Sequence, residues 1–181
     1  MPPVTSASSA DGVAGLAADL VAEYARRGWT LATAESLTAG LVAARVADVP
    51  GASAVLRGGI VAYATGLKGA LLGVDPDLLA RVGAVDPDVA RAMAQGARER
   101  LDATVGVATT GVAGPDSQDG HPPGVVWVAV ATPEGVSARR VPIDPDAGGA
   151  DPGERRAAIR RATVAEALSD ALAVVDGSPG E

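Results

Sequence analysis

Apolar side chains recur at Val13, Leu16, Leu20, Val21 and Tyr24. That spacing lays one stripe along a helix and predicts a helix over Gly12–Arg27, stopped by Gly28. Trp29–Ala34 then reads as a short strand, and Thr38–Val46 as a helix that Val49-Pro50-Gly51 breaks. Val55–Ala64 predicts a second strand, carrying the pair Gly58-Gly59. Short helical patterns follow at Leu67–Leu72 and Pro76–Val82. A clear amphipathic helix runs over Pro87–Leu101, with Asp86 at its N-cap and Pro87 at its first position. Ala103–Ala108 is a buried strand pattern, and Gly111–Gly124 a long Gly/Pro/Asp loop. Val125–Ala131 and Val136–Val141 pair across the turn Thr132-Pro133-Glu134-Gly135. A Pro/Asp/Gly link over Pro142–Gly153 leads to a terminal helix, Glu154–Val175. Strands alternating with helices, plus one hairpin, predict an α/β fold: a three-layer α/β/α sandwich with a mixed β-sheet.

The chain has 181 residues, enough for one domain with its own core, here residues 12–175 between flexible tails at 1–11 and 176–181. It is 48% hydrophobic and 20% charged, which excludes a disordered chain. With no cysteine and one histidine, His121, there is no material for a thiolate metal site, a Cys nucleophile or a His-based triad, and no metal or organic cofactor is expected. His121, between Gly120 and Pro122, reads as an exposed loop residue. A net charge of -7 and few aromatics argue against a nucleic-acid partner. No apolar run reaches the ~18 residues of a membrane span. The small, polar N-terminus lacks a signal peptide's regions, so a soluble cytoplasmic protein is expected.

One count changes the picture. Of 15 basic residues, Lys68 is the lone lysine. In a chain that otherwise uses Arg, a single Lys is either a survivor or a residue whose task Arg cannot perform. Lys can lose its proton when desolvated, whereas Arg stays protonated.

Polar residues collect where strands end, as ligand sites do in open α/β sheets. Thr33-Ala34-Glu35-Ser36-Leu37-Thr38-Ala39-Gly40 spans a strand-to-helix turn, where Ser36 or Thr38 either caps the helix or helps hold an anion. Gly51-Ala52-Ser53, Tyr63 and Lys68 surround the next strand. If that strand leads back toward the first turn, Ser53 and Lys68 can meet, and a neutral lysine is the available base for a serine nucleophile. The plainer alternative is a loop serine and a surface lysine. Thr109-Thr110-Gly111-Val112-Ala113-Gly114-Pro115-Asp116 ends a buried strand in two hydroxyls and a glycine turn, which lets N–H groups approach an anion. It matches neither phosphate-loop pattern built around glycines. Arg156 and Arg160, four apart at the start of the last helix, share a face that suits a phosphate or a solvated basic turn.

Taken together, these segments resemble one family. Ala34-Glu35-Ser36-Leu37-Thr38-Ala39-Gly40 resembles the Ala-Glu-Ser-x-Thr-x-Gly signature of the CinA C-terminal domain, the nicotinamide mononucleotide deamidase family often described as competence/damage-inducible. Arg57-Gly58-Gly59-Ile60-Val61-Ala62-Tyr63 with Lys68, Gly83-Ala84-Val85, Thr110–Asp116 and Pro123-Gly124-Val125-Val126-Trp127 resemble its later blocks, in order, from about Gly12 to Val175. The resemblance implies the three-layer fold and hydrolysis of the nicotinamide carboxamide to nicotinate mononucleotide and ammonia. It places a Ser/Lys dyad on Ser53 and Lys68, with Tyr63 assisting. Ser36, Thr38, Gly40, Thr110, Gly111, Gly114, Arg156 and Arg160 would line the substrate pocket. It also implies a stand-alone form and a homodimer or higher homo-oligomer. The chain departs from the family at Ala64-Thr65, Asp86 and Thr110, and at the longer link before the Arg pair. Two other functions fit the same features: a non-catalytic nucleotide-binding or regulatory domain, and an amidase for another small substrate.

Overall fold

The computed structural model describes residues 9–144, 146 and 148–177. In chain order the elements are α1 (Ala10–Arg27), β1 (Leu31–Glu35), α2 (Leu41–Ala47), β2 (Leu56–Val61), α3 (Thr65–Leu72), α4 (Pro76–Val82), α5 (Pro87–Arg100), β3 (Val105–Gly111), β4 (Val126–Thr132), β5 (Gly135–Arg140) and α6 (Pro152–Ala173). A 3-10 turn, Ala52–Ala54, precedes β2, and another, Val174–Asp176, ends α6.

The five strands form one mixed sheet in the order β2-β1-β3-β4-β5. β1 runs parallel to both β2 and β3, while β4 and β5 are antiparallel additions. The sheet divides two cores with the period of two that alternating side chains impose. Leu31, Val105, Val107, Val126, Val128 and Val130 face α1, α2 and α6. Ala32, Ala34, Ala108, Ala129 and Ala131 face α5 and its neighbours. The alanine face brings α5 in close. A Cβ on Gly106 would stand 2.2 Å from the Ala94 carbonyl oxygen, and one on Gly96 would stand 2.0 Å from that of Leu72. Helices on both faces give the expected three-layer sandwich.

The caps follow local chemistry. Gly28 takes the left-handed conformation (φ 67°) that ends α1 where expected, and Asp86 accepts from Asp88 N to open α5. Several boundaries differ from expectation: α2 begins at Leu41 rather than Thr38, β2 ends at Val61 rather than Ala64, and three others differ for a local reason. Ser9 caps α1, so Ala10 and Asp11 are helical rather than part of a tail. β3 extends through Thr109, Thr110 and Gly111, because β4 pairs with all three. α6 begins at Pro152, capped by Asp151 accepting from Glu154 N. The remaining tail residues, 1–8 and 178–181, lie outside the described residues. Among the described residues, no helix is long and apolar enough to cross a membrane.

Neighbours β1 and β3 send the chain in opposite directions, β1 toward β2 and β3 toward β4. Their carboxyl ends form the crevice where open α/β sheets bind ligands.

Candidate active site

Glu35 closes β1 and organises everything after it. Its carboxylate is buried and accepts four hydrogen bonds: Thr33 Oγ1 at 3.0 Å, Gly40 N at 2.8 Å, Val42 N at 3.1 Å and Ala43 N at 2.9 Å. Three of those donors are N–H groups at the start of α2, so Glu35 does the capping for which Ser36 and Thr38 were candidates. Gly40 is the N-cap residue, with φ 92° and no side chain to cap with. The signal was present as a glutamate at the end of a buried strand before a glycine turn, but its partners lie five to eight residues ahead and carry no side-chain signature.

The loop so held carries Ser36. Its N–H donates to the Thr109 carbonyl at 3.0 Å, tying it to the end of β3. Thr38 Oγ1 and Thr109 Oγ1 lie 2.8 Å apart, both buried. From α6, Arg160 donates to the Leu37 and Thr38 carbonyls at 2.9 and 3.0 Å. With their carbonyls held, the backbone N–H groups of Leu37 and Thr38 donate to no acceptor among the described residues. Two free N–H groups directly after a serine are suited to receive an oxyanion.

Lys68 reaches this serine from α3. It is completely buried, and its Nζ lies 3.1 Å from Ser36 Oγ, 2.8 Å from the Ala62 carbonyl and 3.5 Å from the Tyr63 carbonyl. An ammonium donates to all three oxygens. A neutral amine keeps two N–H donors for the two carbonyls, which can only accept, and its lone pair is left for the serine hydroxyl. Burial brings the lysine down to about 8, against an opposing pull from the Asp119 carboxylate.

Ser53 is elsewhere. It is exposed on the 3-10 turn before β2, next to Val55, whose carbonyl receives Leu31 N at the start of β1. Lys68 sits beyond the other end of β2. Six strand residues of about 3.3 Å each put roughly 20 Å between the two ends. The Ser53–Lys68 contact expected from the sequence is therefore replaced by Ser36–Lys68. The strand does lead back toward the first turn, but it delivers only its carboxyl end there.

The other expected site residues surround this pair in mixed roles. Tyr63 touches Lys68 through its main-chain carbonyl. Its hydroxyl is turned away, accepting from Arg156 Nη2 at 2.7 Å, with the residue 52% exposed. That geometry gives the hydroxyl no contact through which to assist the lysine. Arg156 also donates to the Gly114 carbonyl, whereas Arg155 reaches Asp146 instead, so Arg156 is the one that faces the site. Arg160 is occupied by the loop carbonyls. Thr110 is buried and donates to the Ala84 carbonyl at 2.6 Å, a structural contact. Gly111 lies against β4, where a Cβ would stand 2.6 Å from the Val125 carbonyl oxygen.

A buried serine–lysine pair between neighbouring strand ends is the arrangement to compare with known proteins. The CinA C-terminal domain model matches residues 13–175. The chain belongs to the CinA C-terminal domain family. A CinA-like protein of Frankia casuarinae is 49% identical over 154 residues, covering 85% of this chain and 34% of that protein. A putative competence-damage inducible protein of Desulforamulus reducens is 47% identical over 150 residues, covering 83% and 34%. The chain thus spans about a third of the length of these CinA relatives. Among solved structures, the competence/damage inducible protein CihA from Agrobacterium tumefaciens superposes with a TM-score of 0.81 at 34% identity, over 91% of this chain and 95% of that one. A CinA superfamily protein from Escherichia coli gives 0.80 at 27% identity, over 94% and 92%.

Proposed function

We propose that this CinA-family chain is an amidohydrolase that deamidates nicotinamide mononucleotide, with Ser36 as nucleophile and Lys68 as general base. The observation that carries the proposal is the 3.1 Å contact between Ser36 Oγ and the buried Nζ of Lys68. Neutral Lys68 takes the hydroxyl proton as Ser36 Oγ attacks the carboxamide carbon. The oxyanion is held by the free N–H groups of Leu37 and Thr38. The lysine ammonium then gives its proton to the departing nitrogen, and ammonia leaves. Water attacks the resulting ester, Lys68 takes its proton, and the Ser36 alkoxide departs and is reprotonated. At the outer edge, Arg156 with the Tyr63 hydroxyl supplies the cation and donor for the 5′-phosphate. The protein works in solution in the cytoplasm, as a homodimer or larger.

The test is ammonia release from nicotinamide mononucleotide, beside free nicotinamide and other small amides. Release from the mononucleotide alone supports the proposal. Release only from another amide redirects the substrate while keeping the dyad. Mononucleotide binding with no ammonia released overturns hydrolysis in favour of a binding domain.

A further inference from the structure

One stretch of the surface differs from the rest of the chain. From Gly58 to Val74 the one charged residue is Lys68, and that side chain is completely buried. The exposed side of this stretch therefore carries no charge, in a chain that is 20% charged. It carries apolar groups instead. Val61, Tyr63, Leu67 and Leu71 are four of the five exposed large hydrophobic side chains among the described residues, each at least 40% exposed. Leu67 and Leu71 are four apart on α3 and share its outer face, while Lys68 and Leu72 are buried on the inner one. Folded domains rarely leave an apolar patch of this kind uncovered.

The patch continues onto a free sheet edge. β2 is the outermost strand and pairs only with β1. Ala62 N donates inward to the Glu35 carbonyl at 2.9 Å, so the alternate residues Gly59 and Val61 turn their main-chain N–H and C=O groups outward, where no described group meets them. The other edge of the sheet is protected by charge: β5 ends in exposed Arg140, and the turn before it carries exposed Glu134. β2 has Arg57 near its amino end, where a bulge also interrupts the pairing, and no charge after it. An edge strand is complementary to its own copy, since the same N–H and C=O groups face each other across a two-fold axis. Near such an axis every charged side chain would meet its twin, and two chains of net charge -7 repel elsewhere. A second copy is therefore the partner that requires a face free of charge.

We propose that this face, the outer edge of β2 from Gly59 to Tyr63 with Leu67 and Leu71 of α3, is where a second copy of the chain docks about a two-fold axis. Tyr63 belongs both to this face and, through its hydroxyl on Arg156, to the edge of the active site, so the assembled protein carries each site beside the interface. The proposal rests on the homodimer reading above and not on the hydrolytic one. Sedimentation of the native chain is compared with that of Leu67→Glu/Leu71→Glu and of Val136→Glu on the opposite edge. Both leucines are exposed, so the double variant is expected to keep the native helical signal and fall to half the native mass, while Val136→Glu keeps the native mass. The native sequence has no cysteine, so Leu71→Cys carries a single thiol. Its labelling by a maleimide is expected to slow as rising concentration assembles the chain, whereas that of Val136→Cys stays constant. This second measurement carries the test even if the glutamate pair does not fold. A native chain that is monomeric at every concentration overturns the proposal and the homodimer reading together, and leaves the face to a partner of another kind. An assembly that keeps its mass in the double variant, or Leu71→Cys labelling indifferent to assembly, overturns this face and leaves the homodimer reading standing.

Discussion

The two ends of β2 each present a serine, and they differ in almost everything a nucleophile needs. At the amino end, Ser53 is exposed on a 3-10 turn, and its hydroxyl makes no hydrogen bond among the described residues. At the carboxyl end, Lys68 is buried against Ser36 Oγ, free N–H groups follow the serine, and Arg160 and Glu35 hold the loop from both sides. Position at a strand's carboxyl end brings together the β1–α2 and β2–α3 segments and the end of β3, whereas the amino end brings only a loop. Chemistry needs a base that has lost its solvent and a serine that cannot move. One end of the strand has both.

The largest effect follows from removing the nucleophile. Ser36→Ala is expected to lower kcat for ammonia release by about 10³-fold or more. Glu35 and Arg160 continue to hold the loop, so the variant should fold and bind the mononucleotide, with turnover and melting temperature measured in parallel. Normal turnover in Ser36→Ala would erase the contrast between the two ends.

Lys68 comes next. Loss of a general base costs about 10²–10⁴-fold, so Lys68→Ala and Lys68→Arg should be comparably inactive. Arg stays protonated up to pH ~12 and cannot take the serine proton. A Lys68→Arg protein with substantial turnover would reduce the lysine to a positive charge. Arg160→Lys tests the frame instead of the chemistry. A lysine cannot hold the Leu37 and Thr38 carbonyls in a fork, and a loop displaced by about 1 Å costs up to about 10²-fold in kcat. Substrate KM should change less than kcat if the loop's task is to fix Ser36.

The pH profile is a smaller test of the same end. The base must be neutral, and burial has brought it to about 8. Below that value the ammonium predominates and the rate falls; above it the amine predominates and the rate levels off. Raising the pH from 7 to 9 should therefore increase kcat/KM by roughly 10-fold. A limb near 10 would mean that the lysine is not desolvated in solution.

The fold was legible because its elements are written in local patterns. The stripe Val13, Leu16, Leu20, Val21, Tyr24, the Asp86-Pro87 cap and the hairpin turn all act within a few residues of themselves. Ser36, Lys68 and Arg156 were also legible as candidates, from a polar cluster at a strand end, a lone lysine and an arginine pair. Which serine the lysine meets was not. Ser53 is fifteen residues from Lys68 and Ser36 is thirty-two, and chain distance favours the wrong partner. Only the parallel pairing of β1 with β2, which sets Glu35 beside Val61, puts the end of β1 next to the start of the Lys68 segment. The capping role of Glu35 was hidden for a related reason: its partners are backbone N–H groups, which every residue but proline carries.

The smallest expected effect is the one that completes the comparison. Ser53→Ala removes an exposed hydroxyl that holds nothing, on a turn whose backbone bonds, Ala54 N to Gly51 O and Val55 N to Ala52 O, do not involve the serine side chain. Its stability should stay within about 0.5 kcal/mol of the native chain, as surface substitutions away from caps and cores do. Its kcat and KM for the mononucleotide should match the native values, because roughly a strand's length separates the site from Lys68. The pairing of Ser53→Ala with Ser36→Ala is informative because the chemical change is identical and only the place differs. An inactive Ser53→Ala that still folds would require the Ser53 turn to reach a reacting group that the single chain does not bring to it. A second copy placing this turn at its partner's Lys68 would be the first arrangement to examine, by mixing inactive Ser53→Ala and Lys68→Ala chains and looking for restored ammonia release.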